Sequence, residues 1–512
     1  MTTTLPGHDQ EGVAGDQAGP PDDAGQAIPD TPTDDGVELL LSPREGVPPV
    51  TTTAAGLREL VERFAAGSGP IAVDAERASG YRYSQRAYLV QLRRSGAGSA
   101  LIDPIGCPDL SELSAALQGD EWVLHAASQD LACLAEVGLV PSRVFDTELA
   151  GRLAGFERVG LGAMVEKVLG LKLEKGHSAA DWSTRPLPDS WLVYAALDVE
   201  VLLELRDALE AELRAQGKLE LAHEEFEAVR RALPPGPRID PWRRTSGMHR
   251  LRSRRQIAAV QAMWEARDAM ARRRDIAPGR ILPDAAIVAA VTAAPTSAAG
   301  LLDLPVFGGR STRRHVDVWF GALQAAGALP EDRLPLPVPH GDGPPAANRW
   351  AERDPVAAKR LGRVRGVVGE LAAELRLPQE NLVQPEALRR LAWTPPAAGA
   401  GEPSPESVAD ALRRYGAREW QVRAVAAPLA AVLPDPPAAA PSTGGAVDTG
   451  GPVDTGGPLE TGGPLETGAA AALAGPLAPA AHPRLTAASP PAPAERAEVA
   501  PLVFVSAPHD GG

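Results

Sequence analysis

Five side chains in the first half of the chain have the types and spacing that could gather metal ions and activate water. Asp74 and Glu76 close the apolar run PIAVDAE. Two residues apart on an extended strand they face one side, about 7 Å apart along the backbone. A lone Asp-x-Glu is ordinarily a solvated strand end, so the pair needs company. Asp130 follows the β-rich run WVLHAA at the start of a helical pattern, where by itself it could simply cap or charge the helix N-terminus. Asp198 lies in YAALDVEVLLEL, an otherwise strongly apolar helix, and Tyr194 shares its face one turn earlier. Four converging acids repel one another unless divalent cations neutralise them, and oxygen-only ligands suit Mg²⁺ or Mn²⁺ rather than zinc. Two such ions, about 3.5–4 Å apart, clamp an in-line attack at a phosphodiester.

Elements to position these groups are legible on either side of them. Leu57, Leu60, Val61 and Phe64 have helical spacing and feed the PIAVDAE strand. The β-rich runs AYLVQLRR and SALIDPIG, divided by SGAG, precede a helix from Leu110 to Leu117 and then the strand WVLHAA. The order β-β-β-α-β predicts a mixed sheet. SQDLACLAEVGL, DTELAGRLAG, LGAMVEKVLG and PDSWLVYAALDVEVLLELRDALEAEL continue as helices, several stopping at Gly. An α/β domain is therefore expected over residues 50–232. Beyond the breaker PPGPRIDPWRR, residues 240–330 show only helical patterns. A second loop, LPLPVPHGDGPP, leads into another all-α unit at 345–433.

The charge is unevenly placed. The chain carries a net −15, of which residues 1–50 hold −9 and residues 431–512 hold −6, leaving a neutral middle. The acidity therefore does not exclude a nucleic-acid partner. Residues 1–49 and 434–512 are expected to be disordered acidic tails, the second holding hexapeptides such as GPVDTG and GPLETG that lack apolar side chains to fill a β-helix. Cys107 and Cys133 belong to no Cys/His cluster and read as buried thiols in a reducing compartment. With neither an apolar leader nor a run of about 18 apolar residues, a soluble cytoplasmic protein with no membrane partner is expected. No G-x-x-x-x-G-K-[ST] loop occurs, which excludes a helicase of that type.

Asp74-x-Glu76, His125-x₄-Asp130 and Tyr194-x₃-Asp198 resemble, in order and context, the three exonuclease motifs of the DEDD superfamily, tyrosine subclass. AYLVQL, LHAASQDL, FDTELAGRLAG, DWSTRPLP and YAALDV are similar to ribonuclease D in particular. The resemblance implies a ribonuclease H-like α/β domain: a mixed sheet with flanking helices, acting as a 3′→5′ exoribonuclease that releases nucleoside 5′-monophosphates from structured RNA such as tRNA precursors. It implies that Asp74 bridges two ions, that Glu76 and Asp198 complete the first site, that Asp130 holds the second, and that Tyr194 orients or helps deprotonate the attacking water. A tyrosine of pKa near ~10 is a poor base but an adequate hydrogen-bond partner. Arg185 could meet a phosphate; Trp182 could stack on a base or anchor its loop; His125 could be a packed strand-end histidine; Gln91 could touch substrate or be an ordinary strand residue.

Residues 236–330 hold fifteen Arg against seven acids, a net +8, most of them between Arg243 and Arg274. Ile257, Val260, Met263 and Trp264 make one helix side, leaving the Arg residues as a solvated face or an RNA surface. MWEARDAMARRRDIAPGRILPDAAIV and VFGGRSTRRHVDVWFGAL resemble the helicase-and-RNase-D C-terminal (HRDC) domain, and 345–433, with LPQENLVQPEALRRLAW, resembles a diverged second copy. A monomer acting on RNA is expected. The alternatives are a DNA-directed exonuclease, which shares these acids, and a non-catalytic RNA-binding protein.

Overall fold

Apolar runs in the first third of the chain pair into the sheet that carries the acids. A computed structural model describes residues 37–435 except 175, 178, 233–235, 237, 337–342 and 397–400. The expectations for residues 1–36 and for the hexapeptide tail lie outside the described residues. The chain runs through β1 (Glu38–Leu40), β2 (Val50–Thr51), α1 (Ala54–Ala65), β3 (Ser68–Arg77), β4 (Ala87–Ser95), β5 (Gly98–Ile102), α2 (Ser111–Ala116), β6 (Glu121–Leu124), α3 (Leu131–Glu136) and β7 (Arg143–Asp146). It continues through α4 (Thr147–Ala154), α5 (Leu161–Leu169), β8 (Leu171–Leu173), α6 (Asp189–Glu200), α7 (Leu202–Ala215) and α8 (Leu219–Arg231). Six strands form one sheet in the order β2-β5-β4-β3-β6-β7. The β3–β4 and β4–β5 pairs are antiparallel, and β6 and β7 are added in parallel. This is the mixed sheet expected.

Strand alternation sorts β3 into two faces. Ile71, Val73 and Ala75 pack with Phe64, Leu113 and Leu134 in one core. Ala72 joins a second core with Val199, Leu205 and Leu209 of α6 and α7, and the same face presents Asp74 and Glu76. Burying both sheet faces is what makes β3 and β4 nearly continuous apolar runs.

The expected N-terminal tail is folded from Val37 onward. β1 pairs in parallel with β8, and Arg44 reaches Glu204 at 2.6 Å. Composition averages over a segment. It conceals a three-residue run, Glu38–Leu40, whose backbone can complete a two-stranded sheet.

Helices α9 (Arg254–Arg274), α10 (Pro278–Ile281), α11 (Asp284–Ala293), α12 (Ala298–Leu302), α13 (Arg310–Arg314) and α14 (Val316–Gly327) enclose their own core of Val260, Met263, Ile287, Phe307 and Trp319. Ser253 opens α9 with a capping box closed by Gln256.

Helices α15 (Trp350–Arg353), α16 (Pro355–Glu374), α17 (Gln379–Leu382), α18 (Pro385–Trp393), α19 (Pro405–Arg414) and α20 (Glu419–Val432) pack onto the α/β domain. Leu361, Val364, Leu391 and Val425 share one hydrophobic cluster with Leu205, Leu209 and Phe226. Trp420 Nε1 donates to Glu225 Oε1 at 2.9 Å, and Lys218 Nζ donates to the Arg376 carbonyl at 3.4 Å. The backbones meet so closely that a Cβ on Gly155 would lie 2.6 Å from the Arg376 carbonyl oxygen. Helical periodicity shows that a helix has an apolar face, not which element covers it.

Candidate active site

Asp74 and Glu76 reach the site because β3 holds them on one face, paired across to Gln91 and Leu89 of β4. Helix α6 lies against that face. Ala195 and Ala196, both buried, are small enough to let it approach, and it delivers Tyr194 and Asp198. Carboxylate oxygens of Asp74, Glu76 and Asp198 lie within 4.8 Å of one another.

Asp130 arrives by a different route, and Asp146 is its support. After β6 the chain turns at Ala126, a non-glycine residue in the left-handed region (φ 60°). The Ala126 and Ala127 amides donate to Asp146 Oδ1 and Oδ2 at 3.0 and 2.9 Å. Asp146 Oδ1 also accepts from Glu148 and Leu149 at 3.0 and 3.1 Å, capping α4. One buried carboxylate thus joins the start of α4 to the turn that presents Asp130. Burial pushes it up to about 6 while the Leu149, Ala127 and Ala126 N–H groups act to hold it down. The buried Asp130 carboxylate stands outside the three-acid group and pairs with Arg77 Nη2 at 3.4 Å.

Burial raises all four acids, and repulsion from neighbouring carboxylates adds to it at Glu76, Asp130 and Asp198. Glu76 is pushed up to about 10 by burial and then by Asp74, Asp198 and Asp130; Asp130 rises to about 8 by burial and Asp74. Asp74 and Asp198 rise chiefly through burial. Such a group calls for a compensating cation, and its all-oxygen donors fit a hard divalent ion. The Tyr194 hydroxyl is pushed far above its usual range by burial and by Asp198, so it keeps its proton.

The outer expectations fare differently. Gln91 is fully buried beside Asp74 on the neighbouring strand, with neither amide atom hydrogen-bonded, and is not open to substrate. His125 is the packed histidine: its Nδ1 lies 2.9 Å from Thr147 Oγ1, and burial pushes it down to about 4. Trp182 has no exposed surface and packs on Trp191 and Tyr194, at centroid distances of 5.3 and 6.5 Å, so it anchors its loop and cannot stack on a base. Arg185 is not free to meet a phosphate. Its Nε and Nη2 bind Asp103 at 2.8 Å each, Nη2 also binds the Tyr88 carbonyl, and Nη1 binds those of Trp182 and Thr184.

Sequence reasoning missed Asp146 and Arg77. The run FDTELAG carries a readable N-cap, but not the second job that cap performs. It also missed the dock between the α9–α14 module and the segment leaving Glu76. Ser84 N–H donates to Asp275 Oδ1 at 2.8 Å, Tyr83 Oη to Asp268 Oδ1 at 3.0 Å, and Arg280 Nε to the Gly80 carbonyl at 2.9 Å. The Arg280 guanidinium lies 3.9 Å from the Tyr81 ring centroid.

A mixed sheet that gathers acids from its strand ends and from one late helix is the architecture of a 3′→5′ exonuclease domain. Residues 49–214 match the family described as 3'-5' exonuclease, 256–323 match the HRDC domain, and 343–433 match the 3' to 5' exonuclease C-terminal domain. The chain belongs to the ribonuclease D family, and its activity is that of a 3′→5′ exoribonuclease. It is 34% identical over 290 residues to ribonuclease D of Escherichia coli (strain K12), covering 56% of this chain and 75% of that protein. Among solved structures it is similar to a protein from Bifidobacterium adolescentis (38% identity, TM-score 0.71, 78% of this chain and 99% of that one). It is also similar to Escherichia coli RNase D, an exoribonuclease involved in structured RNA processing (28% identity, TM-score 0.53, 72% of this chain and 99% of that one).

Proposed function

We propose that Asp74, Glu76, Asp130 and Asp198 hold two Mg²⁺ or Mn²⁺ ions, and that Tyr194 positions the water that releases nucleoside 5′-monophosphates from the 3′ ends of structured RNA such as tRNA precursors. The observation that carries this reading is the mutual approach of the Asp74, Glu76 and Asp198 oxygens within 4.8 Å, on half-buried groups in need of positive charge. When bound, the ions supply activation of water and neutralise charge that builds on the phosphate oxygens. Asp74 sits between Glu76 on its own strand and Asp198 on α6, which suits it to be the shared ligand. Tyr194 keeps its proton and holds the water by hydrogen bonding. All five groups come from one chain, which supports action as a monomer.

Incubating 3′-labelled and 5′-labelled RNA and DNA oligonucleotides side by side, with Mg²⁺, Mn²⁺ or chelator, tests this. The expected result is mononucleotide release from RNA 3′ ends that stops in chelator. Undiminished cleavage in chelator overturns the ion assignment, and faster loss of DNA than RNA overturns the substrate.

A further inference from the structure

Asp130 already has a cation. Arg77 ends β3 one residue after Glu76, where the register slips: Glu76 pairs with Leu89 but Arg77 with Ala87. Its guanidinium lies 3.4 Å from Asp130 Oδ1, and the arginine side chain is 26% exposed against 8% for the aspartate, so it reaches inward from the mouth of the site. Its positive charge also offsets Asp74 and Glu76. Unlike Arg185, whose guanidinium is held by several partners, Arg77 has this pair as its one polar contact among the described residues. It also lines a cavity of about 190 Å³ with Glu76, Ser79, Gly80, Ala179 and Ala180, which opens directly beside the acids.

We propose that Arg77 is an internal counter-cation: it holds Asp130 in the ion-free enzyme, gives that carboxylate up to a divalent cation, and then meets an RNA phosphate in the adjoining cavity. This rests on Asp130 being an ion ligand. A buried carboxylate left alone beside Asp74 is costly, so the pair keeps the empty site compact. A guanidinium and a divalent ion repel across one carboxylate, so binding of the ion releases Arg77. The released side chain presents a planar set of donors matched to phosphate geometry. RNA therefore stabilises the displaced arginine, and the ion at Asp130 and the RNA bind cooperatively.

Calorimetric titration of Mn²⁺ into the full chain without RNA reads the first half of the proposal, and KM for a single-stranded RNA oligonucleotide reads the second. Arg77→Met keeps the stem and drops the charge; it should bind Mn²⁺ about tenfold tighter, while KM rises roughly 3- to 10-fold with a smaller change in kcat. Arg77→Lys keeps the charge and drops the fork, so Mn²⁺ affinity should stay near the parent's while KM still rises. That variant keeps the test decisive if Arg77→Met fails to fold. Mn²⁺ binding no tighter in Arg77→Met, or much tighter in Arg77→Lys, overturns the competition. An unchanged KM in both variants overturns the phosphate contact. A parent chain that takes up no Mn²⁺ is a different failure, that of the ion-ligand reading itself.

Discussion

Asp74 and Tyr194 face one another across the gap between sheet and helix, yet their loss should be felt in different quantities. Asp74→Asn removes charge from the carboxylate proposed to be shared by both ions and should abolish Mn²⁺ binding together with about 10³-fold or more of turnover. Tyr194→Phe loses only a hydroxyl that keeps its proton, so ion and RNA should still bind while kcat falls on the order of 10²-fold. Turnover at the parent rate would remove Tyr194 from the mechanism. The acids also set a pH dependence. In the ion-free protein Asp130 is held up to about 8 and Glu76 up to about 10, far above an unfolded carboxylate near ~4. Between those limits the folded state binds more protons than the unfolded one, so stability should fall as pH rises from about 6 to about 9. Mn²⁺ replaces those protons and should raise the melting temperature more at the upper end of that range. Thermal melts in chelator and in Mn²⁺ check this, and the slope in chelator should flatten in Asp130→Asn.

At the scale of elements, Asp130 depends on a turn that its own segment does not hold. Ala126 takes a left-handed conformation that costs an alanine about 1 kcal/mol, and Asp146 accepts from its amide and from that of Ala127. Asp146→Asn sets an amide N–H against one of these donors and should destabilise the fold by about 1–3 kcal/mol. The same change should weaken Mn²⁺ binding in titrations at temperatures where the variant remains folded. Full Mn²⁺ affinity in a destabilised variant would reduce Asp146 to a cap for α4 alone.

Across the whole molecule, the basic helical module is docked onto the catalytic neighbourhood rather than tethered beside it. Asp268, Asp275 and Arg280 hold residues 80–84, which leave the strand that bears Asp74 and Glu76. Deleting residues 240–330 should weaken RNA binding and flatten its salt dependence, because phosphate contacts release counterions. It should also lower kcat on short oligonucleotides, since the docked segment loses its support. Filter binding across a salt series, with single-turnover rates alongside, separates the two effects; an unchanged kcat would mean that the dock serves binding alone. A shortened chain of residues 37–435 should keep parent turnover, whereas one beginning at residue 49 loses β1 and the Arg44–Glu204 pair and should melt roughly 2–4 °C lower.

The five chemical groups and the mixed sheet were legible because each rests on short-range pattern. Period-two alternation places Asp74 and Glu76 on one face, helical period places Tyr194 beside Asp198, and turn residues mark the strand ends. Nothing of that range tells a free arginine from an engaged one. Arg185 and Arg77 look alike in sequence, yet Asp103 and three carbonyls hold the first while the second, among the described residues, has Asp130 alone. Trp182 was ambiguous for the same reason, and packing against Trp191 and Tyr194 decided it. Only the folded chain shows that Asp146 serves two segments, that Leu39 joins a strand beside Lys172, and that α15–α20 close the core of α7 and α8. Local periodicity says which face of an element seeks burial; the partner that buries it lies far along the chain and is chosen by shape, hydrogen bonds and charge that exist only once the chain has folded.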